Sequence, residues 1–214
     1  MIVTELSKGI KLYLLVGGKG TRLSSITKGI PKPLVDINGK SFISRLLDNL
    51  SGFDITLVCS DLNYNHFKNL GVELFNEGEL SGTGGFLSKI DLPESFYVMN
   101  GDTFYSGNLN LDCDKTTIFV SQEKTTGDEG YILGSNGKVE SYVEKNIFSA
   151  GETHLVNLGI YKFYKKDLIL PDRLPISIEY DILTDIDLSY QVLETDRFDI
   201  GTPERLEKFK KWCV

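Results

Sequence analysis

The chain has 214 residues, 41% of them hydrophobic, with a net charge of −7: enough for one well-buried domain, 1–214, and too little for two comfortable ones. The acidic balance offers no basic field to a nucleic-acid backbone or an anionic membrane, so any polyanionic ligand has to be held locally. Three widely spaced cysteines (Cys59, Cys113, Cys213) with only His66 and His154 beside them exclude a disulfide framework or a zinc cage, and no apolar run approaches the ~18 residues of a membrane span or reads as a signal peptide, so a cytoplasmic protein without membrane insertion is expected.

In the first half, short strand-like runs alternate with helix-like ones. Residues 11–16 read as a strand, 42–50 as a helix with Phe42, Leu46, Leu47 and Leu50 on one side, and 55–59 as a second strand. Residues 63–70 suit a helix, 72–75 a strand, 85–90 a short helix and 96–99 another strand. Such an order implies βαβ units and a mostly parallel, Rossmann-like α/β sheet with ligand chemistry at the carboxyl ends of its strands. Residues 116–121, 130–133, 139–144 and 155–163 are all strand-like, and Asn136-Gly137 offers a hairpin turn, so antiparallel additions are expected in the second half. Residues 178–186 read as a helix, 190–194 as a strand, and Thr202-Pro203-Glu204 opens a last helix with a threonine cap and a proline in the first turn.

The strand at 11–16 runs into Gly17-Gly18-Lys19-Gly20-Thr21-Arg22-Leu23. Glycines there let backbone N–H groups face phosphate oxygens with no Cβ in the way, and an arginine adds a forked, permanent charge; a tight strand-to-helix turn would also call for glycines. A dinucleotide fingerprint does not fit, because its third glycine would fall at Leu23, and a Walker A loop ending in Gly39-Lys40-Ser41 would need a glycine where Leu34 stands. Lys32 lies between Pro31 and Pro33, which restrict the backbone and fix its ammonium. Asp102, in Asn100-Gly101-Asp102-Thr103, follows a strand, as metal-binding aspartates commonly do, and Asp199 closes another apolar segment. Mg²⁺ on a nucleotide needs only one or two protein carboxylates, so these two would suffice if they converge. Gly82-Thr83-Gly84-Gly85 precedes a helix and admits a flat base close to the backbone, while Glu144-Lys145 pairs a carboxylate for hydroxyls with an ammonium for a phosphate.

Taken in order, these motifs, with Asn157-Leu158-Gly159-Ile160-Tyr161 and Asp199-Ile200-Gly201-Thr202-Pro203, resemble the sugar-1-phosphate nucleotidyltransferases over nearly the whole chain. Within that family the short form with GTGG is most similar to the D-glycero-D-manno-heptose 1-phosphate guanylyltransferases of bacterial surface-polysaccharide pathways. The resemblance implies transfer of NMP from an NTP to a sugar 1-phosphate with release of pyrophosphate. By position, Gly17, Gly18, Gly20 and Thr21 would contact nucleotide, Arg22 the leaving phosphates and Lys32 the reacting centre. Gly82 and Thr83 would lie near base and ribose, Asp102 and Asp199 would bind Mg²⁺, Glu144 and Asn157 would hold sugar hydroxyls, and Lys145 the sugar phosphate. Base and sugar stay open at this point: GTP with a heptose phosphate is favoured over CTP, UTP or dTTP with another sugar or a polyol phosphate. An inactive nucleotide-sugar-binding or regulatory subunit is the alternative of another class. Two copies could pair as a homodimer through the antiparallel half.

Overall fold

A computed structural model describes residues 9–18, 20, 23, 27, 29–107, 109–127, 129–143 and 151–214. Its strands are β1 (Lys11–Leu15), β2 (Asp36–Ile37), β3 (Lys40–Ser41), β4 (Asp54–Cys59), β5 (Glu73–Asn76), β6 (Ser95–Asn100), β7 (Thr103–Tyr105), β8 (Thr117–Lys124), β9 (Tyr131–Ser135), β10 (Lys138–Val143), β11 (Thr153–Tyr164), β12 (Ser189–Val192) and β13 (Arg197–Asp199). The helices are α1 (Phe42–Asn49), α2 (Tyr64–Phe67) and α3 (Pro203–Trp212), with short 3-10 turns at Lys32–Leu34, Gly85–Ser88 and Lys165–Asp167 and a π turn at Ile178–Ile182. No helix among the described residues is long and apolar enough to cross a membrane.

Nine strands form one sheet in the order β5-β4-β1-β6-β11-β8-β12-β10-β9. The block β5-β4-β1-β6 is parallel throughout. Beyond it β11 runs antiparallel to both β6 and β8, and β10 antiparallel to β9, which are the expected antiparallel additions. Asn136 and Gly137, with φ of 50° and 77°, make the β9–β10 turn that the sequence foresaw. From β1 the chain moves outward to β4 and β5, then returns to β6 on the other side of β1. The topological switch point therefore lies between β1 and β6, where Leu15 pairs with Asn100.

Strand β1 is apolar without alternation because both of its faces are covered. Leu12, Leu14 and Val16 belong to one core with Phe42, Ile43 and Leu46 of α1 and Leu206 and Phe209 of α3. Tyr13 points into a second core with Phe86, Leu87, Ile176, Ile178 and Ile182. The Ser41 hydroxyl caps α1 and the Thr202 hydroxyl caps α3, each accepting from an N–H at 3.3 Å.

Three predicted helices are shorter than their sequence pattern suggested. In residues 63–70 a single turn, α2, forms, with Phe67 its one buried residue and no side-chain cap. Gly71, at φ +73°, then turns the chain away into β5. The segment 85–90 makes a 3-10 turn at Gly85–Ser88, and 178–186 a π turn anchored by buried Ile178 and Ile182. Each buries enough apolar surface for one turn and too little to propagate a helix.

Candidate active site

The carboxyl ends of β1, β4 and β6 and the loop after β5 frame a cavity of about 610 Å³. Gly17, Gly18, Gly20, Lys32, Gly82, Thr83 and Asp102, all singled out in the sequence, line it. Lys19, Thr21, Arg22, Glu144 and Lys145 lie outside the described residues.

The glycine loop leaves β1 with its carbonyls engaged: the Ser60 hydroxyl donates to Gly17 O at 3.4 Å and the Asn63 amide to Gly18 O at 3.3 Å. Among the described residues, nothing accepts from the N–H groups of Gly17 and Gly18. That leaves donors on the cavity wall for an anion. Lys32 begins the 3-10 turn framed by its two prolines, and its ammonium donates to Asp102 Oδ2 at 2.7 Å. The side chain of Lys32 is 14% exposed and that of Asp102 42%, so the pair sits at the mouth of the site rather than in bulk water.

Asp102 is presented by a turn packed against β1. A Cβ on Gly101 would stand 2.6 Å from Leu15 O, so only glycine permits this approach. Immediately after the turn, β7 pairs antiparallel with β13, placing Thr103 opposite Asp199, and Ile200 N–H donates to Asp102 O at 3.1 Å. The ribbon thus brings the backbone at Asp102 beside that at Asp199, 97 positions away in sequence, although Asp199 does not line the cavity and sits in a neighbouring cleft with Glu129, Arg197 and Arg205. Asp199 accepts from Gly201 N–H at 2.8 Å and from Arg205, whose Nη1 lies 3.2 Å from Oδ1 and 3.1 Å from Oδ2. Among the described residues no cluster of three or more metal-ligating side chains assembles. A pair of carboxylates is a donor set of the size and hardness that Mg²⁺ accepts while keeping its waters.

Gly82 and Thr83 line the cavity, yet their conformation answers to the protein as well as to a ligand. Gly82 has φ +86°, and a Cβ there would fall 2.2 Å from Ile176 O. Thr83 accepts from Ile178 N–H at 2.9 Å and donates to Glu179 at 3.0 Å. Glu179 also accepts from the Tyr161 hydroxyl at 3.1 Å, and Tyr161 in turn accepts from the Asn157 amide at 2.8 Å. Asn157 does not line the cavity; its side chain is taken up by this network and by Gly159 N–H, at a bulge in β11 that abuts Asn100. Burial beside Glu179 pushes the Tyr161 hydroxyl well above the usual tyrosine range.

Sequence reasoning missed two acidic residues. Glu179 is one. The other is Glu77, 8% exposed on the cavity wall, its Oε1 standing 3.2 Å from where a Gly17 Cβ would be. The Ser81 hydroxyl donates to its Oε2, and burial raises its carboxyl above the ordinary value of 4.5, against the opposing pull of Ser81 and Lys89. A glutamate five residues ahead of a GTGG loop was the only available signal, and alone it reads as a surface loop.

Residues 11–81 match the family model described as Nucleotidyl transferase. A D-glycero-alpha-D-manno-heptose 1-phosphate guanylyltransferase of Campylobacter jejuni is 31% identical over 172 residues, covering 73% of this chain and 76% of that protein. The mannose-1-phosphate guanylyltransferase catalytic subunit beta of Drosophila melanogaster is 28% identical over 92% of this chain. The chain spans only 60% of that relative's length, and less than two thirds of several other curated relatives. Among solved structures, HddC from Yersinia pseudotuberculosis complexed with GMP-PN superposes with a TM-score of 0.78 at 30% identity, over 96% of this chain and all of that one. Sequence and fold agree along almost the full length, and the chain belongs to the sugar-1-phosphate nucleotidyltransferase family.

Proposed function

We propose that the chain transfers a nucleoside monophosphate, most favourably GMP, from an NTP to the phosphate of a sugar 1-phosphate, releasing pyrophosphate. The observation that carries this reading is the Lys32–Asp102 pair at the switch point, with the Asp199 strand paired alongside, at a cavity whose Gly17 and Gly18 N–H groups have no acceptor among the described residues. An oxygen of the sugar phosphate would attack the α-phosphorus in line, and the α–β phosphoanhydride bond would break. The acceptor is already an anion, so no general base is required and the work is positioning and charge neutralisation. Gly17, Gly18 and Gly20 would seat the triphosphate, Lys32 would shift from Asp102 toward a phosphate oxygen, and Arg22 would hold the leaving phosphates. Glu144 would hold sugar hydroxyls and Lys145 the sugar phosphate, whereas Asn157, expected to share the hydroxyls, is committed to Tyr161 and Gly159 and does not line the cavity. Mg²⁺ held by Asp102 and Asp199 would neutralise charge on the reacting phosphates.

Two observations favour guanine. Several of the relatives, two of them at 28% and 31% identity, carry guanylyltransferase names, and Glu77 presents carboxylate oxygens on the cavity wall, one of them shared with the Ser81 hydroxyl. Guanine is the base whose pairing edge presents two adjacent donors to such a group. A heptose 1-phosphate is the acceptor we favour, following the Campylobacter relative, which would place the chain in bacterial surface-polysaccharide synthesis in the cytoplasm. A matrix of four NTPs against several sugar 1-phosphates, scored by pyrophosphate release with Mg²⁺, tests the reading. GTP with a heptose 1-phosphate is expected to lead, and no release with any pairing would refute it.

A further inference from the structure

Asp102, Lys32, Asp199 and Arg205 alternate in sign across the site. A Cβ on Gly201 would stand 2.8 Å from Asp199 Oδ1, 3.6 Å from Lys32 Nζ and 4.0 Å from Arg205 Nη1, so the charges converge around a residue with no side chain. Lys32 serves a phosphate in the reading above; Arg205 has no role there.

Its position in α3 makes the question sharper. Arg205 is the third residue of the helix, in the first turn, where the helix dipole favours acids such as its neighbour Glu204 and disfavours a cation. Helix stability is therefore not what places an arginine there. Nor is ordinary ion-pair stabilisation a sufficient reason, since both side chains are more than a quarter exposed. What the position achieves is contact of one guanidinium nitrogen with both oxygens of Asp199, while the guanidinium also acts on the carboxylate of Glu129 in the same cleft. A guanidinium cannot lose its proton to make way for a competing cation.

We propose that Arg205 is a positioning residue that keeps the aspartate pair from capturing a bare divalent cation and reserves it for a cation arriving with the nucleotide. The proposal rests on the reading that Asp102 and Asp199 hold the metal. With both carboxylates covered by Lys32 and Arg205, a free cation meets a locally neutral pair and the repulsion of two positive groups. A metal–triphosphate complex brings its own negative charge, which draws the ammonium away and offsets the guanidinium. Arg205 at the same time fixes the Asp199 carboxylate in the orientation that Gly201 N–H supports.

The test titrates nucleotide-free, full-length protein with Mn²⁺. Free metal is read by electron paramagnetic resonance and binding by the fluorescence of Trp212, the single tryptophan, which packs on Phe198 beside Asp199. Arg205→Gln is expected to bind bare Mn²⁺ several-fold more tightly than the wild type while its kcat falls at least tenfold. Loss of a merely structural contact would weaken binding instead. Arg205→Lys, keeping the charge, is expected to hold bare-metal affinity near the wild-type value. Unchanged or weaker Mn²⁺ binding by Arg205→Gln overturns the proposal. Asp199→Asn separates this from the underlying reading: if it binds Mn²⁺·GTP as tightly as the wild type, the metal assignment fails and the proposal with it. If it weakens Mn²⁺·GTP while Arg205→Gln leaves bare Mn²⁺ binding unaltered, the proposal alone falls.

Discussion

Replacing Glu77 with glutamine sets nucleotide recognition against stability in one residue. The side chain is 8% exposed, and glutamine keeps its shape and an oxygen for the Ser81 hydroxyl while removing the charge and turning an NH₂ toward the cavity. A guanine donor would then meet a donor. Losing one charge-assisted hydrogen bond of about 1.5–3 kcal/mol predicts a rise in KM for GTP of about 10- to 100-fold. Stability should move the other way. Because burial raises the folded-state pKa of Glu77 above 4.5, the folded chain holds that proton more tightly than the unfolded one. Wild-type stability from this group is therefore complete below about pH 4.5 and lost as pH rises through the folded value. Glu77→Gln, having no proton to lose, is expected to melt above the wild type at pH 7–8, with the gap closing below pH 4.5. Steady-state kinetics with GTP and thermal melts from pH 4 to 8 measure both effects. A KM for GTP within twofold of wild type, or an equal loss of stability at every pH, would refute the reasoning.

Three further outcomes follow from the site. Asp102→Asn and Asp199→Asn are each expected to lower turnover on the order of 10²-fold or more, while costing about 1 kcal/mol or less of stability because the ion pairs they break are partly exposed; kcat and urea midpoints check this. Gly82→Ala combines φ +86° with a Cβ 2.2 Å from Ile176 O, and should lose roughly 2–4 kcal/mol in denaturant unfolding. Thr83→Val removes both the acceptor for Ile178 N–H and the donor to Glu179, a loss of about 1–3 kcal/mol that should also speed hydrogen exchange at the Ile178 amide.

Strands β1, β4 and β6 were legible because a parallel strand covered on both faces is an unbroken apolar run, and the loops bearing Gly17 and Asp102 follow from where such runs stop. The approach of the Asp199 strand to the Asp102 turn was not legible. It depends on β7 and β13, three-residue strands whose pairing bridges 97 positions and leaves no periodicity to read. Arg205 was equally hidden, since its partner is fixed by that same ribbon. The GTGG loop was seen but half understood: its first glycine is demanded by Ile176, a contact that sequence spacing cannot announce. The short turns at Gly85–Ser88 and Ile178–Ile182 mimic helices in pattern because their apolar residues fall four apart, yet tertiary packing stops each after one turn.

The glycines around the cavity divide by what would stop a side chain. Gly82, Gly101 and Gly159 are each blocked by the protein itself, with Cβ positions 2.2 Å from Ile176 O, 2.6 Å from Leu15 O and 2.2 Å from Asn100 Nδ2. Gly18 is different: its φ is not in the left-handed region, and among the described residues nothing lies within 4 Å of where a Cβ would be. The packing of the described residues gives no reason for a glycine there, whereas a triphosphate lying against the backbone would. Gly18→Ala should therefore fold with wild-type stability, or gain up to about 1 kcal/mol through reduced freedom of the unfolded chain. Its KM for the NTP should nonetheless rise at least tenfold, with little change in KM for the sugar 1-phosphate. A variant of normal stability and unaltered NTP affinity would show that the phosphates pass elsewhere, and the glycine loop would return to being a turn.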